Sequence, residues 1–320
     1  MSVALCTYDG QRFVEEQLRS ILAQDTPPDE LVISDDASND DTMAIVRRVV
    51  ANGTPSVDIR IIGTSRAGGV TANFERAVRA CRGDIIILSD QDDVWHPDRV
   101  STVLSAFAGP DAPLLVFADA NLIDASGASL PGSIHTNLRL SRSEARRIDA
   151  GDSFAVLIRR NVVTGAVTAF SRSLLDAALP FPPDWVHDEW LAIIAAAIGT
   201  VRRVPARLID YRIHDNNQIG VDDPSRHSRL ARMLEPRKDR YQRLSRRSQG
   251  LADRLARLGV NPFRLALARR KASFESARAT YPNSRLRRVA PVLRQWFRGN
   301  YARLSSQRRL DVARDLLQPS

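Results

Sequence analysis

The sequence predicts an α/β fold, a mostly parallel sheet flanked by helices, followed by a basic α-helical region. Three observations lead there. Over the first 125 residues, short apolar runs alternate with amphipathic helical patterns, which is how a parallel sheet covered by helices is written. Two of the apolar runs end in clusters of aspartates. The charge is unevenly placed: residues 221–320 hold 25 Lys/Arg against 8 Asp/Glu, net +17, whereas residues 1–220 hold 21 against 29, net −8. That break sets the expected domain boundary, with one domain over 1–220 and a basic helical domain over 221–320.

The elements follow in order. Residues 3–6 read as a strand, and 13–23 as a helix with Phe13, Val14, Leu18, Ile21 and Leu22 on one face. A strand at 31–33, a helix at 41–50 and a strand at 57–62 come next. Residues 71–81 place Phe74, Ala77 and Val78 inward on a helix, 85–88 is a strand, and 97–107 is a helix with Pro97 in its first turn. Residues 114–117 form a further strand. The stretch 130–160 is polar and Ser/Arg-rich and reads as an insertion or flexible loop. Residues 162–170 return to strand character, 188–198 is an apolar helix, and 201–204 and 208–213 are two short strands. A polar linker over 214–225 leads into helices that run to residue 320, with breaks at Pro262, Pro282 and Pro291.

Composition is that of a globular protein, 43% hydrophobic and 26% charged. Two cysteines, Cys6 and Cys81, are too few for a disulfide framework or a zinc site and read as buried reduced thiols. No basic leader precedes the first strand, and no apolar run reaches the roughly 18 residues of a membrane span. A cytoplasmic protein is expected.

The aspartates carry the chemistry. Asp35 and Asp36 follow the second strand; Asp90, Asp92 and Asp93 follow the strand at 85–88. Parallel sheets bind ligands outside the carboxyl ends of their strands, so both clusters face one crevice. Carboxylates gathered in this way repel unless a cation is shared, and oxygen ligands select Mg²⁺ or Mn²⁺. Magnesium is held by one or two carboxylates plus substrate phosphates. In Asp90-Gln91-Asp92 the two carboxylates project to one side of an extended segment. Asp40 and Asp41 are read as turn and cap residues instead. The segment from Arg66 to Asn73 precedes a helix and offers backbone N–H groups to a nucleotide.

Four motifs in order, Thr7-Tyr8-Asp9-Gly10, Ser34-Asp35-Asp36-Ala37-Ser38-Asn39-Asp40, Ser89-Asp90-Gln91-Asp92-Asp93-Val94-Trp95 and His187-Asp188-Glu189-Trp190, resemble family 2 of the inverting glycosyltransferases. The likeness is to bacterial rhamnosyltransferase-type members that build cell-surface polysaccharides. It covers residues 1–220 and touches the tail around Asn300–Leu317. It implies a nucleotide-diphospho-sugar transferase fold, with 1–220 as the catalytic domain. It also implies roles: Thr7, Tyr8, Asp36 and Asp90 at the nucleotide, Asp92 and His214 at the metal, and Asp188 as catalytic base. Beside that base, His187 reads as either structural or acceptor-facing, and Trp190 as either a stacking surface for the acceptor sugar or a core-packing residue. The expected donor is a dTDP- or UDP-linked sugar, with rhamnose the sugar the resemblance points to. The acceptor is a saccharide or lipid-linked saccharide. Asp9 stands where the pattern has Asn, and Ala37 where it has Gly, which constrains that turn more. The Gln-X-X-Arg-Trp motif of processive members is absent, so single-sugar transfer is expected.

The Arg-rich tail has two readings. Its amphipathic helices with Trp and Phe suit an anionic membrane surface at the inner face of the cell membrane, beside a lipid-linked acceptor. Equally, they suit a bundle packed on the catalytic domain with its arginines in water. No nucleic acid is expected, because the crevice is acidic and no binding motif is present. The rival functions are a nucleotidyltransferase, disfavoured by the lack of a glycine-rich loop after the first strand, and a non-catalytic saccharide-binding scaffold, disfavoured by the intact aspartates.

Overall fold

The computed structural model describes residues 1–52, 56–109, 114–215 and 240–319. The described residues divide into two compact units, one of 1–153 with 162–215, the other of 154–161 with 240–319. The expected boundary at 220/221 and most of the expected linker fall in 216–239, outside the described residues.

The first unit is built on one sheet. β1 (Ser2–Thr7), β2 (Glu30–Asp35), β3 (Asp58–Ile62) and β4 (Ile85–Ser89) run parallel in the order β3-β2-β1-β4. The amphipathic helices α1 (Val14–Leu22), α2 (Thr42–Ala51) and α3 (Val70–Ala80) connect them, and α4 (Arg99–Phe107) follows. β1 and β2 are buried along their whole length, as strands covered on both faces must be. Val3, Leu5, Leu18, Ile21, Leu31, Ile33 and Ile87 form the centre of the core, each fully shielded from solvent.

Beyond β4 the sheet becomes mixed. β8 (Thr168–Ser171) is antiparallel to both β4 and β6 (Leu115–Asp124). β6 is parallel to β9 (Val201–Ile213), and β5 (Val94–Trp95) is antiparallel to β9. β7 (Ser129–Leu130) hairpins onto β6. The parallel prediction therefore holds for the helix-connected half. β8 arrives after a long excursion instead of a helical crossover, so nothing obliges it to run parallel.

Three other expectations are corrected. Residues 130–160 are not a loop: they hold α5 (Ile134–Asn137), α6 (Arg142–Asp149) and α7 (Ser153–Leu157). Ser133 and Ser141 open the first two with capping boxes, Ser141 Oγ accepting from Glu144 N–H while Glu144 accepts from Ser141 N–H. The two short strands at 201–213 are one thirteen-residue strand. Pro205 sits in an exposed stretch of β9, near where its register against β6 shifts, a place that tolerates a residue without an N–H. A helix not anticipated, α8 (Ser173–Ala178), precedes α9 (His187–Ile198).

The second unit contains the helices Arg240–Arg257, Pro262–Ala279, Arg285–Phe297, Asn300–Leu304 and Arg309–Leu317. Pro262 starts a helix, with Asn261 as its N-cap. Pro291 does not break one; it lies inside Arg285–Phe297. The core is Phe274, Tyr281, Val292, Tyr301 and Leu304 around a buried ionic cluster. In that cluster Asp315 accepts from Arg278, Tyr241 and Tyr301 at 2.6–3.1 Å.

Candidate active site

The carboxyl edge of the parallel strands carries three loops. The first, Thr7 to Gly10, follows β1. Thr7 Oγ1 donates to Asp35 at 2.7 Å, and Asp35 also accepts from the Ser38 N–H and hydroxyl. Asp35 thus holds a turn and does not line the cleft. Asp9 and Ala37 both have left-handed φ values, 46° and 63°. Asp tolerates this region better than Ala does, which explains why a glycine suits the position of Ala37. The Asp9 carboxylate accepts the Asn39 N–H at 2.8 Å and joins the first loop to the second. Asp40 accepts from the N–H groups of Gln11 and Thr42, the turn role expected of it, and Asp41 occupies the N-cap position of α2.

The third loop follows β4. Gln91 clasps the first loop, accepting from Tyr8 N–H at 2.8 Å and donating to Tyr8 C=O at 2.9 Å. A Cβ at Gly10 would lie 2.2 Å from Gln91 Oε1, so this approach needs glycine. Asp90 and Asp92 flank Gln91, and both line the cleft. Asp93 turns away and accepts the Arg212 N–H.

These loops, α3 and the start of α9 enclose a cavity of about 440 Å³. Thr7, Tyr8, Asp36, Asp90, Asp92, His187, Asp188 and His214 all line it. Trp190 does not. It is fully buried, its indole N–H donates to Ala178 C=O at 2.7 Å, and its ring packs near Trp185. The expectation that Trp190 meets the acceptor is therefore corrected: two residues after Asp188, its ring faces the core and anchors α9.

Asp188 sits in the first turn of α9. One carboxylate oxygen accepts the Gly165 N–H at 2.9 Å and the other the Glu189 N–H at 2.6 Å. Burial, with the neighbouring Glu189 charge adding to it, pushes Asp188 up to about 7. Asp90 is pushed up to about 8, first by burial and then by the charges of Asp92 and Asp188. Arg99, over the Trp95 ring at 3.8 Å and almost fully buried, offsets part of this negative charge; burial lowers it to about 9. His187 stacks on Phe74 at 4.0 Å, and burial lowers it to about 3, so its imidazole is neutral. Neither of its buried ring nitrogens has a partner among the described residues.

Asp36 holds the segment expected to offer N–H groups to a nucleotide. Its carboxylate accepts from Ala67, from Gly68 at 3.2 Å and from Gly69 at 2.9 Å. His214 Nε2 lies 2.9 Å from Asp92 Oδ2. No cluster of three or more metal-binding side chains occurs among the described residues. The pair Asp92–His214, with Asp90 in the same cleft, has the donor chemistry of a hard cation that takes its other ligands from phosphate and water.

Sequence reasoning missed Gln91, Arg99, Gly165 and Tyr211. Gly165 lies in a segment with no local motif, and Tyr211 stands three residues before His214, the one residue of that stretch the resemblance singled out. Arg99, an arginine on the inward face of an otherwise apolar helix pattern, was a usable signal for a buried counter-charge.

An α/β sheet whose parallel strands bring carboxylates together at their ends, in one cleft with a further buried carboxylate, suits a glycosyltransferase. The chain belongs to glycosyl transferase family 2, whose model matches residues 2–166, just over half of it. The dTDP-rhamnosyl transferase RfbG of Shigella flexneri is 27% identical over 229 residues, 68% of this chain and 74% of that protein. The uncharacterized glycosyltransferase alr2836 of Nostoc sp. is 23% identical over 222 residues, 68% of this chain and 66% of that protein. Two solved structures share the fold. The mannosyltransferase PcManGT from Pyrobaculum calidifontis, in complex with GDP-Man and Mn²⁺, aligns over 98% of this chain and 83% of its own, with TM-score 0.55 and 18% identity. TarS 1–349 of S. aureus, in complex with UDP-GlcNAc, aligns over 98% and 89%, with TM-score 0.54 and 16% identity.

Proposed function

We propose that this glycosyltransferase moves one sugar, with inversion and with a divalent metal, from a nucleotide-diphosphate sugar to a saccharide or lipid-linked saccharide acceptor in cell-surface polysaccharide synthesis. One observation carries the reading: Asp188, a buried carboxylate held near 7, lines the same cleft as Asp36, Asp90 and Asp92. A base that titrates near neutrality, in the same cleft as a metal-type pair, suits removal of a proton from an acceptor hydroxyl.

Asp188 takes that proton. Thr7, Tyr8, Asp36 and Asp90 receive the nucleotide. The Asp36 carboxylate has about four acceptor directions, of which three meet loop N–H groups, leaving one for a base imide. Asp92 and His214 would hold Mg²⁺ or Mn²⁺, which when bound supplies positive charge against the charge growing on the departing nucleoside diphosphate. His187, neutral and lining the cleft beside Asp188, is assigned to the acceptor side in this reading. The relationship to RfbG supports dTDP-rhamnose as donor, and a UDP-sugar is the alternative. Residues 1–220 form the catalytic domain in this reading. Residues 221–320 form a basic helical domain that places the enzyme at the inner face of the membrane.

The test is a calorimetric titration of the purified protein with dTDP and UDP, each with and without Mn²⁺. Metal-dependent binding that Asp92→Ala abolishes is expected, and the preferred base narrows the donor. Binding of neither nucleotide under any condition would overturn the reading in favour of a non-catalytic scaffold.

A further inference from the structure

The helix Arg285–Phe297 packs inward through Arg288, Val292 and Gln295. Leu286, Val289, Leu293, Trp296 and Phe297 instead face solvent, 86%, 42%, 43%, 40% and 82% exposed. At 3.6 residues per turn these five fall within an arc of about 100°. Exposed Arg285 stands at one edge of the arc, and exposed Arg287 and Arg294 along the other. A helix that buries one face and presents a second, continuous apolar face to water has a surface built for a partner.

Charge selects the partner. A two-fold pairing with a second copy would set the same arginine borders against one another. The region's net charge of +17 deepens that repulsion and turns into attraction at an anionic surface. No described helix is long and apolar enough to cross a membrane, so the face suits lying in the interface. Trp296 at the rim of the arc fits the amphipathic zone between headgroups and acyl chains.

We propose that the helix Arg285–Phe297 is the membrane anchor of this enzyme. It lies in the plane of an anionic bilayer, with Leu286, Leu293 and Phe297 among the acyl chains and Arg285, Arg287 and Arg294 on lipid phosphates. This rests on the reading above that the acceptor is lipid-linked, and it specifies the surface that would hold the enzyme at the membrane where that acceptor lies.

The full-length protein is sedimented with phosphatidylcholine vesicles and with vesicles that also contain phosphatidylglycerol. Binding to the mixed vesicles at least about tenfold tighter is expected, since each arginine near an anionic surface contributes on the order of 1 kcal/mol. Leu286→Ser with Phe297→Ser lowers it about tenfold or more. Tryptophan emission shifts to the blue on the mixed vesicles, and Trp296→Phe removes the shift, which separates this residue from the other three tryptophans. Equal sedimentation of the wild type and the double variant would overturn the proposal. So would a wild-type dimer by light scattering that the double variant dissociates, which would make the face an interface between copies. All these residues are exposed, and unchanged circular-dichroism melts check that the variants fold. Nucleotide titration without vesicles separates the two readings: loss of nucleotide binding with vesicle binding intact would sink the donor assignment and leave the anchor standing.

Discussion

His214 Nε2 stands 2.9 Å from Asp92 Oδ2, although 122 residues separate them in the chain. The contact exists because β9 runs antiparallel to β5, pairing Asp210 with Val94 and carrying the end of β9 back over the Asp90–Asp93 loop. If the pair holds the metal, Asp92→Ala abolishes Mn²⁺-dependent nucleotide binding. His214→Ala weakens it about 10–100-fold and leaves metal-free binding in place, which calorimetry reads directly.

Asp188→Asn keeps the size of the side chain and removes the base. Its kcat falls at least tenfold, in line with the roughly 10²–10⁴-fold contribution of general bases. In the wild type, kcat/KM falls as pH drops through about 7, where Asp188 takes up a proton. A profile flat from pH 5 to 8 would remove Asp188 from this role.

The same carboxyl affects stability with a defined sign. Its folded value, about 7, lies above the ordinary carboxylate value of 3.8. Its favourable contribution is therefore complete below about pH 4 and lost as pH rises through 7. Without metal, the melting temperature of the wild type should fall between pH 5 and 8 relative to that of Asp188→Asn, in thermal melts at matched ionic strength.

Gly165 supports the base without belonging to it. A Cβ there would lie 2.9 Å from His187 Nε2 and 3.6 Å from Asp188 Cβ. Gly165→Ala pushes the His187 ring or Asp188 aside. A kcat loss of about tenfold or more with little change in melting temperature is expected, because small displacements at a reacting centre are costly.

In the helical unit, Asp315 is fully buried between Arg278, Tyr241 and Tyr301. Asp315→Ala removes the acceptor shared by the Arg278 guanidinium, which keeps Glu275, and the Tyr241 and Tyr301 hydroxyls, and destabilises that unit by about 1–3 kcal/mol for each buried donor left unsatisfied. Chemical denaturation followed by circular dichroism measures this loss.

Apart from the two-residue β5, the order and type of the elements through residue 107 were legible, because period-2 and period-3.6 patterns there agree with the local turn chemistry. The site was partly legible: aspartates at the ends of two strands must converge if the sheet is parallel, and Asp36, Asp90 and Asp92 do line one cleft. The capping box at Ser141–Glu144 was also written locally, though a polar composition masked it. What only the tertiary structure decided are matters of distance between remote segments. Direction of pairing depends on how a long excursion returns, so β8 reversed the sheet with no local sign of it. The burial of Trp190, the clasp of Gln91 on Tyr8 and the N–H groups of the 67–69 segment closing on Asp36 each join residues far apart in the chain. The sequence by itself determined which groups can do chemistry, because residue type and strand-end position are local properties. Which of them face the cleft, and at what pKa, was settled by packing, because burial and neighbouring charge arise only once the chain has folded.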